Sequence, residues 1–151
     1  MALSTEQKQT LREAEAVYQS LAQDGSINFS DPDDVMAFLK PRLAGEEREH
    51  FDILFLDIKH NLIAVERMFS GTIDQTTIFV REIAKKGLEL NCSKVVLSHN
   101  HPSGNVRPSN SDLKMTKQVS EALDIFKIKV LDHIIVGFSG ETLSFARDNY
   151  L

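Results

Sequence analysis

The chain has 151 residues, of which 42% are hydrophobic and 26% are charged, and this length and composition are typical of one soluble globular domain with one active site. Its formal net charge of −5 excludes the strongly basic proteins that bind nucleic acid through a general positive field. The single cysteine, Cys92, excludes an internal disulfide, and the sequence has no run of roughly 18 apolar residues that could cross a membrane. We therefore expect a cytoplasmic protein without a signal sequence.

Two helices are predicted in residues 1–45. Residues 4–24 have a helical spacing of apolar side chains, and Ser4 with Gln7 forms the pattern of a capping box. A second helix begins near Pro32, because proline is favoured in the first helical turn and an apolar stripe follows it. The members of that stripe are Val35, Phe38, Leu39 and Leu43. We expect both helices to form a segment that packs on the remaining domain.

Residues 46–151 are expected to form that domain, in which strands alternate with helices. An apolar strand at 51–57, a polar turn and a second strand at 62–69 predict a β-hairpin. Helical periodicity then follows a polar loop at 74–76 and ends near Asn91. The later elements are a short buried strand at 94–97, a helix after Asp112, one strand made up of residues 128–131 and 133–136, a turn at 137–140 and a last strand at 142–146. This order, ααββαβαββ, predicts one α/β domain with a mixed sheet and helices against its faces.

The polar stretch from Ser98 to Asp112 is the strongest functional signal. His99 and His101 directly follow the buried strand and are two residues apart, so in extended backbone both imidazoles point to the same side. Asp112 comes at the start of the next helix. Two histidines and one carboxylate supply three protein ligands and leave a fourth position for water, which is the arrangement of a catalytic zinc site.

This stretch resembles a known family. His99 and His101 in the form His-x-His, then seven residues, Ser109, two residues and Asp112 make up the His-x-His-x7-Ser-x2-Asp motif of the JAMM (MPN+) metalloproteases. Three longer matches narrow the resemblance to the JAB domain of the bacterial RadC family. They are Ser-His-Asn-His-Pro-Ser-Gly, Pro-Ser-x-x-Asp and Val-Leu-Asp-His-Ile-Ile-Val.

The resemblance to RadC extends from about Glu46 to Arg147. It includes the segments Leu-Phe-Leu-Asp at 54–57, Phe-Ser-Gly-Thr at 69–72 and Arg-Glu-Ile at 81–83. The chain departs from the family at 78–80, Ile-Phe-Val, where the family usually places a proline before the helix. The resemblance implies a single three-layer-like α/β domain of the JAB/MPN, cytidine-deaminase-like kind. In such a domain a mixed β-sheet is flanked by helices, and here two N-terminal helices are added.

The resemblance also implies a reaction. It predicts one zinc ion per chain, Zn2+, held by His99, His101 and Asp112, which lowers the pKa of its bound water from about 16 toward 7. That water attacks an amide or isopeptide carbonyl. The position that matches the family's general base is Glu49, just before the first strand, and the matching donor to the oxyanion is Ser109.

Several residues also have other interpretations. Glu66 in the second strand and Glu82 near the start of the next helix are alternative bases, and Glu82 is also a charge that the helix dipole favours. Ser109-x-x-Asp112 is a capping-box pattern, which is compatible with a metal role. His133 is expected to be a hydrogen-bonded structural histidine, because a fourth protein ligand would close the site to water.

The leading prediction is a zinc-dependent hydrolase of the RadC/JAMM type that acts on a peptide or protein substrate. The alternative is a DNA-repair or recombination accessory protein that binds nucleic acid or a repair partner without peptidase activity. A third prediction, a metal-stabilised interaction module, is disfavoured by the presence of both Glu49 and Ser109. The acidic net charge argues against unaided binding of nucleic acid, and no membrane partner is expected.

Overall fold

A computed structural model describes residues 2–71 and 76–151, with the backbone alone for 76–78. Across this part of the chain the elements follow the predicted order, ααββαβαββ. The helices are α1 (Thr5–Gln23), α2 (Pro32–Leu43), α3 (Thr76–Glu89) and α4 (Asn110–Asp124), and the strands are β1 (His50–Leu56), β2 (Leu62–Ser70), β3 (Lys94–His101), β4 (Lys129–Gly137) and β5 (Thr142–Ser144). Residues 74–75 of the predicted polar loop, and Thr72 of the resemblance, lie outside the described residues.

The strands form a mixed sheet in the order β2-β1-β3-β4-β5. β1 pairs antiparallel with β2, which confirms the predicted hairpin, and antiparallel with β3 on its other side. β3 and β4 run parallel and are joined by α4, because a parallel pair needs a crossover connection. The carboxyl end of β3 therefore leads directly toward the start of α4.

Hydrophobic cores lie on both faces of the sheet. Along β1 the side chains alternate, so that Leu54 and Leu56 join the core with α1 and α2, while Ile53 and Phe55 join the core with α3 and α4. A strand that is apolar on both sides is typical of a sheet covered by helices on both faces. The three-layer α/β fold is therefore confirmed.

The helix starts agree with the capping signals in the sequence. The Ser4 hydroxyl accepts a hydrogen bond from Gln7 N at 3.1 Å, and the Gln7 side-chain oxygen accepts one from Ser4 N at 2.9 Å. This confirms the predicted capping box of α1. In α2 the predicted apolar stripe is buried, and Leu39 and Leu43 are fully inaccessible to solvent. Burial of such a side chain is worth about 1.5–3 kcal/mol, so α2 is firmly attached to the sheet.

The predicted strand at 94–97 is too short. β3 continues to His101 and pairs with β4 as far as Gly137. Polar side chains at 98–101 favour a loop when only the sequence is known, but in the structure Ser98, His99 and Asn100 are buried and hydrogen-bonded. The Ser98 hydroxyl, for example, donates to Asp52 O at 2.7 Å. Because a satisfied polar group is tolerated in the interior, the strand extends through the histidines and holds them on regular backbone.

The last strand is shorter than the predicted range of 142–146. β5 ends at Ser144, because Ala146 N and the Ser144 hydroxyl both donate to the buried Asp132 carboxylate, at 3.0 and 2.6 Å. Phe145 N still donates to His133 O of β4 at 3.0 Å, and beyond Phe145 the chain leaves the sheet.

Candidate metal centre

Side chains with metal-ligating atoms converge at the carboxyl end of β3. His99 and His101 come from this strand, and Asp112 lies in the first turn of α4. Glu49 approaches from the residue before β1. One potential ligand atom from each of the four lies within 4.8 Å of the others. The structure thus brings together the three predicted ligands and the predicted base.

The atoms of the three predicted ligands lie close enough together to contact one metal ion. His99 Nε2 lies 2.9 Å from His101 Nε2 and 3.4 Å from Asp112 Oδ1, and His101 Nε2 lies 3.2 Å from Asp112 Oδ2. Zinc–ligand bonds of about 2.0–2.1 Å place neighbouring ligands of a tetrahedron roughly 3.3 Å apart, and the observed distances bracket that value. Glu49 Oε1 is farther out, at 4.0 Å from His99 Nε2.

A chain of hydrogen bonds behind His99 determines where its proton lies. The Thr116 hydroxyl donates to the Asp112 carbonyl at 2.7 Å, so it accepts from His133 Nδ1 at 2.6 Å. Neutral His133 can then offer only the lone pair of its Nε2, which lies 2.7 Å from His99 Nδ1. His99 therefore carries its proton on Nδ1, and its Nε2 is a lone pair.

His101 has the same proton arrangement for a different reason. Its Nδ1 lies 2.7 Å from the carbonyl oxygen of Asn105, which can only accept, so Nδ1 carries the proton. In the neutral rings the Nε2 lone pairs of His99 and His101 thus face each other beside the Asp112 carboxylate. Electron-rich atoms this close repel unless a cation lies between them, and the donor set fits a divalent metal ion.

The pKa shifts of the cluster follow from these contacts. The hydrogen bond with Asp112 raises the pKa of His101, although burial opposes it. Burial would raise the pKa of Asp112, but the rings of His101 and His99 donate hydrogen bonds to its carboxylate when Nε2 carries a proton, and together these bonds outweigh burial and hold that pKa well below its usual range. Burial, and then the nearby His99, lower the pKa of His133 well below its usual value, so this ring is neutral. In the absence of metal the cluster favours a proton on His101, and a metal ion must compete with that proton.

Only one of the three glutamates considered as the base lies at the cluster, within the part of the chain that the structure describes. That residue is Glu49. Glu66 is on β2, where it lies 3.5 Å from Lys86 Nζ of α3. Glu82 is on α3 and is not part of the cluster. The position of Glu49 supports its role as base, which stays a prediction.

Ser109 is the N-cap of α4. Its hydroxyl accepts from Asp112 N at 3.0 Å, and Ser109 N donates to Asp112 Oδ2 at 2.9 Å, so the predicted capping box is present. The same Asp112 oxygen faces His101 Nε2, and the cap therefore orients the carboxylate toward the cluster. Because the cap uses a lone pair of the Ser109 hydroxyl, it leaves the hydroxyl proton for another acceptor.

The sequence alone does not identify Thr116 as part of the site. The sequence feature that could have identified it is its position four residues after Asp112 on the buried face of α4. A threonine hydroxyl there can donate a hydrogen bond to the carbonyl of residue i−4. His133, fully buried, lies behind His99 as a hydrogen-bonded histidine. Together they link the ring of one predicted ligand to the backbone of another.

The loop between β3 and α4 lies against the end of β4. Gly137 is opposite His101 in the ladder, and a Cβ atom on it would lie 2.9 Å from Gly104 O and 3.1 Å from Val106 Cγ1. A close approach of this kind needs glycine. It allows the loop to bring the Asn105 carbonyl to the His101 ring.

The chain is similar to proteins of one family. A model of the RadC-like JAB domain matches residues 29–150. A UPF0758 protein of Photobacterium profundum is 44% identical over 123 residues, which cover 82% of this chain and 54% of that protein. A UPF0758 protein of Haemophilus influenzae is 47% identical over 120 residues, 80% of this chain and 54% of that protein. A UPF0758 protein of Vibrio cholerae is 40% identical over 123 residues, 82% and 77% of the two chains.

The fold and the sequence together define an α/β domain of the JAB class. The chain belongs to the RadC family, which confirms the resemblance found in the sequence. It spans about half the length of the first two relatives. The family match begins before α2, while the predicted division at residue 46 stays a prediction. Within residues 2–71 and 76–151, no helix has the length and apolar character needed to span a membrane.

Proposed function

We propose that this chain is a zinc-dependent hydrolase of the JAMM type that cleaves an amide or isopeptide bond. The observation that carries the proposal is the proton arrangement of the cluster. Two Nε2 lone pairs lie 2.9 Å apart beside a carboxylate, and each ring is held by a hydrogen bond at its far nitrogen. Three protein ligands of this kind leave one coordination position open for chemistry. Membership of the RadC family supports the same function.

The protein side chains have separate tasks in this reaction. A zinc ion held by His99, His101 and Asp112 would polarise a substrate carbonyl and lower the pKa of a bound water toward 7. The Glu49 carboxylate, which is 41% exposed and reaches toward His99 Nε2, accepts the proton of the attacking water and later donates it to the leaving amine. The Ser109 hydroxyl donates a hydrogen bond to the developing oxyanion.

Zinc binding tests the ligand assignment. We expect about one zinc per chain, and we expect His99→Ala and Asp112→Ala each to lower zinc affinity by orders of magnitude, because each change removes a ligand. His60→Asn is the matched control, since His60 lies in the β1–β2 turn beside Lys94 and its positive φ of 68° suits asparagine. Equilibrium dialysis measures the affinity, and full retention of zinc by both ligand variants would contradict the assignment.

Turnover tests the base. Against a set of peptide and isopeptide-linked substrates, Glu49→Gln should keep its zinc and lose turnover by about 10²–10⁴-fold, the usual contribution of a general acid–base group. Glu66→Gln is the matched control, because Glu66 pairs with Lys86 on the outer strand. Unchanged turnover in Glu49→Gln would exclude Glu49 as the base. Tight, salt-sensitive DNA binding without turnover would favour the accessory protein instead.

A further inference from the structure

Asn100 lies between the two histidines on β3, and its side chain points to the opposite side of the strand. Asn100 is 1% exposed, and both ends of its amide are hydrogen-bonded. Oδ1 accepts from His50 N at 2.7 Å, and Nδ2 donates to Arg48 O at 2.9 Å. A buried amide with both partners supplied fixes the backbone that it binds.

The two backbone groups that Asn100 binds are the peptide units on either side of Glu49. His50 N belongs to the peptide bond that follows Glu49, and Arg48 O belongs to the one that precedes it. The carbonyl oxygen of Glu49 accepts from Gly71 N at 2.7 Å. The backbone of Glu49 is thus held from two sides, by a side chain of β3 and by the residue after β2.

The backbone ladder between β1 and β3 ends where these bonds begin. Its last pair is Phe51 opposite His99. Beyond that pair, the Asn100 amide replaces the β3 backbone as the partner of residues 48–50. Because the Glu49 side chain is 41% exposed, packing restrains it little, and the placement of its carboxylate depends on this backbone.

We propose that Asn100 is a positioning residue for Glu49, whose flanking peptide groups it holds so that the carboxylate lies beside His99 Nε2 in the cluster that would hold the zinc ion. This inference rests on the proposed function. Alternate residues of one strand then have different tasks, since His99 and His101 present ligands on one side while Asn100 orients the base from the other. The middle residue needs a donor and an acceptor in one planar group, which leucine, of similar size, lacks.

Cobalt(II) in place of zinc tests this without a substrate, because its visible absorption changes when the bound water ionises. We expect Asn100→Leu to bind cobalt(II). We also expect it to shift the pH midpoint of the absorption change in the same direction, and by about the same amount, as Glu49→Gln does. In the double variant Asn100→Leu should add no further shift, because its effect passes through Glu49. Asn100→Ser serves the same comparison if the leucine variant does not fold.

The outcomes separate this inference from the proposed function. A wild-type midpoint in Asn100→Leu, with a shifted one in Glu49→Gln, would overturn the role of Asn100 alone. An additional shift in the double variant would overturn it too, because Asn100 would then act independently of Glu49. No shift in Glu49→Gln would remove Glu49 as the base and this inference with it, and failure of the wild-type protein to bind cobalt(II) would remove the metal site itself.

A substrate, once found, gives an independent measurement. The kcat of Asn100→Leu should fall about 10–100-fold with little change in KM, because a displaced base slows proton transfer without changing substrate contacts. If Asn100→Leu lowered kcat by the same factor in a protein that already carries Glu49→Gln, Asn100 would not act through Glu49, and the inference would be contradicted.

Discussion

Two carboxylates inside this molecule have opposite electrostatic surroundings. Asp52, on β1, is fully buried and receives Arg42 Nε at 2.7 Å and Arg67 Nε and Nη2 at 2.9 and 3.1 Å. Asp112 instead faces two imidazoles whose lone pairs point toward the same space as its own oxygens. The first carboxylate has its positive charges built into the chain, whereas the second does not.

The difference indicates how a structural polar site is distinguished from a ligand site. At Asp52 the guanidinium groups neutralise the carboxylate, and this contact raises the pKa of Arg67. At Asp112 the donor atoms are held in place by backbone and side-chain hydrogen bonds, yet the charge balance is completed only by a proton or a metal ion. A preorganised set of ligand atoms without its own cation is therefore the signal of a binding site.

Removal of Asp52 should cause the largest loss of stability. Asp52→Ala removes the buried carboxylate shared by Arg42 and Arg67, and leaves the Arg42 side chain, which is 12% exposed, with Glu15 Oε1 at 3.0 Å as its remaining carboxylate. Breaking a buried pair typically costs about 3–5 kcal/mol. Urea unfolding in the presence of a chelator measures the free energy of unfolding. Asp124→Ala, at an exposed position of α4, is the control and should change it by about 0.5 kcal/mol or less. If the two variants had the same free energy of unfolding, the ion pairs of Asp52 would not stabilise the fold as described.

Removal of His133 should weaken metal binding more than it weakens the fold. His133→Phe keeps a ring against Phe145, whose centroid lies 4.5 Å away, but leaves His99 Nδ1 without its acceptor. Loss of such a partner typically lowers metal affinity by about 10–100-fold. Competition with a fluorescent zinc chelator measures the affinity. Asp52→Ala should bind zinc like the wild-type protein, and equal affinities for all three proteins would contradict the role of His133.

The smallest predicted effect is a dependence of the metal site on pH. The pKa of His101 is raised from 6.5, so without metal its contribution to stability is complete below pH 6.5 and is lost as the pH rises through the folded-state pKa. The pKa of Asp112 is lowered from 3.8, so its contribution is present above pH 3.8 and is lost as the pH falls through the folded-state pKa. Because zinc must displace the His101 proton, stabilisation by zinc should increase from about pH 6 to about pH 8.

Melting temperatures with excess zinc and with chelator, taken in steps of pH, measure this increase. Asp52→Ala should retain it, because arginine stays charged throughout this range. His101→Gln should remove it, since the titrating ring is gone. A zinc-induced rise in melting temperature that is the same at every pH in the wild-type protein would contradict the competition between metal and proton.

The residues of the candidate metal cluster could be predicted from the sequence, but the groups that orient them could not. The spacing of His99, His101 and Asp112 is a local pattern, as is the capping box at Ser109, and each can be recognised in a short segment. The bond between His99 and His133 joins residues 34 apart and needs the parallel pairing of β3 with β4. No local pattern specifies that pairing.

The carboxyl end of β3 shows the same limit. Ser98 and Asn100 indicate a loop as long as their partners are unknown, because an unsatisfied polar side chain is costly inside a sheet. Those partners are backbone groups of Asp52, His50 and Arg48, which lie 46 to 52 residues earlier in the chain. The tertiary contacts therefore decide where the strand ends.

The predicted ligands and the predicted base also differ in their separation along the chain. The predicted ligands lie within residues 99–112, so the entropy cost of bringing them together is small even before the sheet forms, and the unfolded chain should keep some affinity for zinc. On the proposed function, zinc should therefore stabilise the fold by less than its affinity for the native site alone would give. Glu49, by contrast, reaches the ligands only after β1 has paired with β3. The proposed function therefore implies an order of events during folding, in which the nascent chain can bind zinc before Glu49 reaches the site.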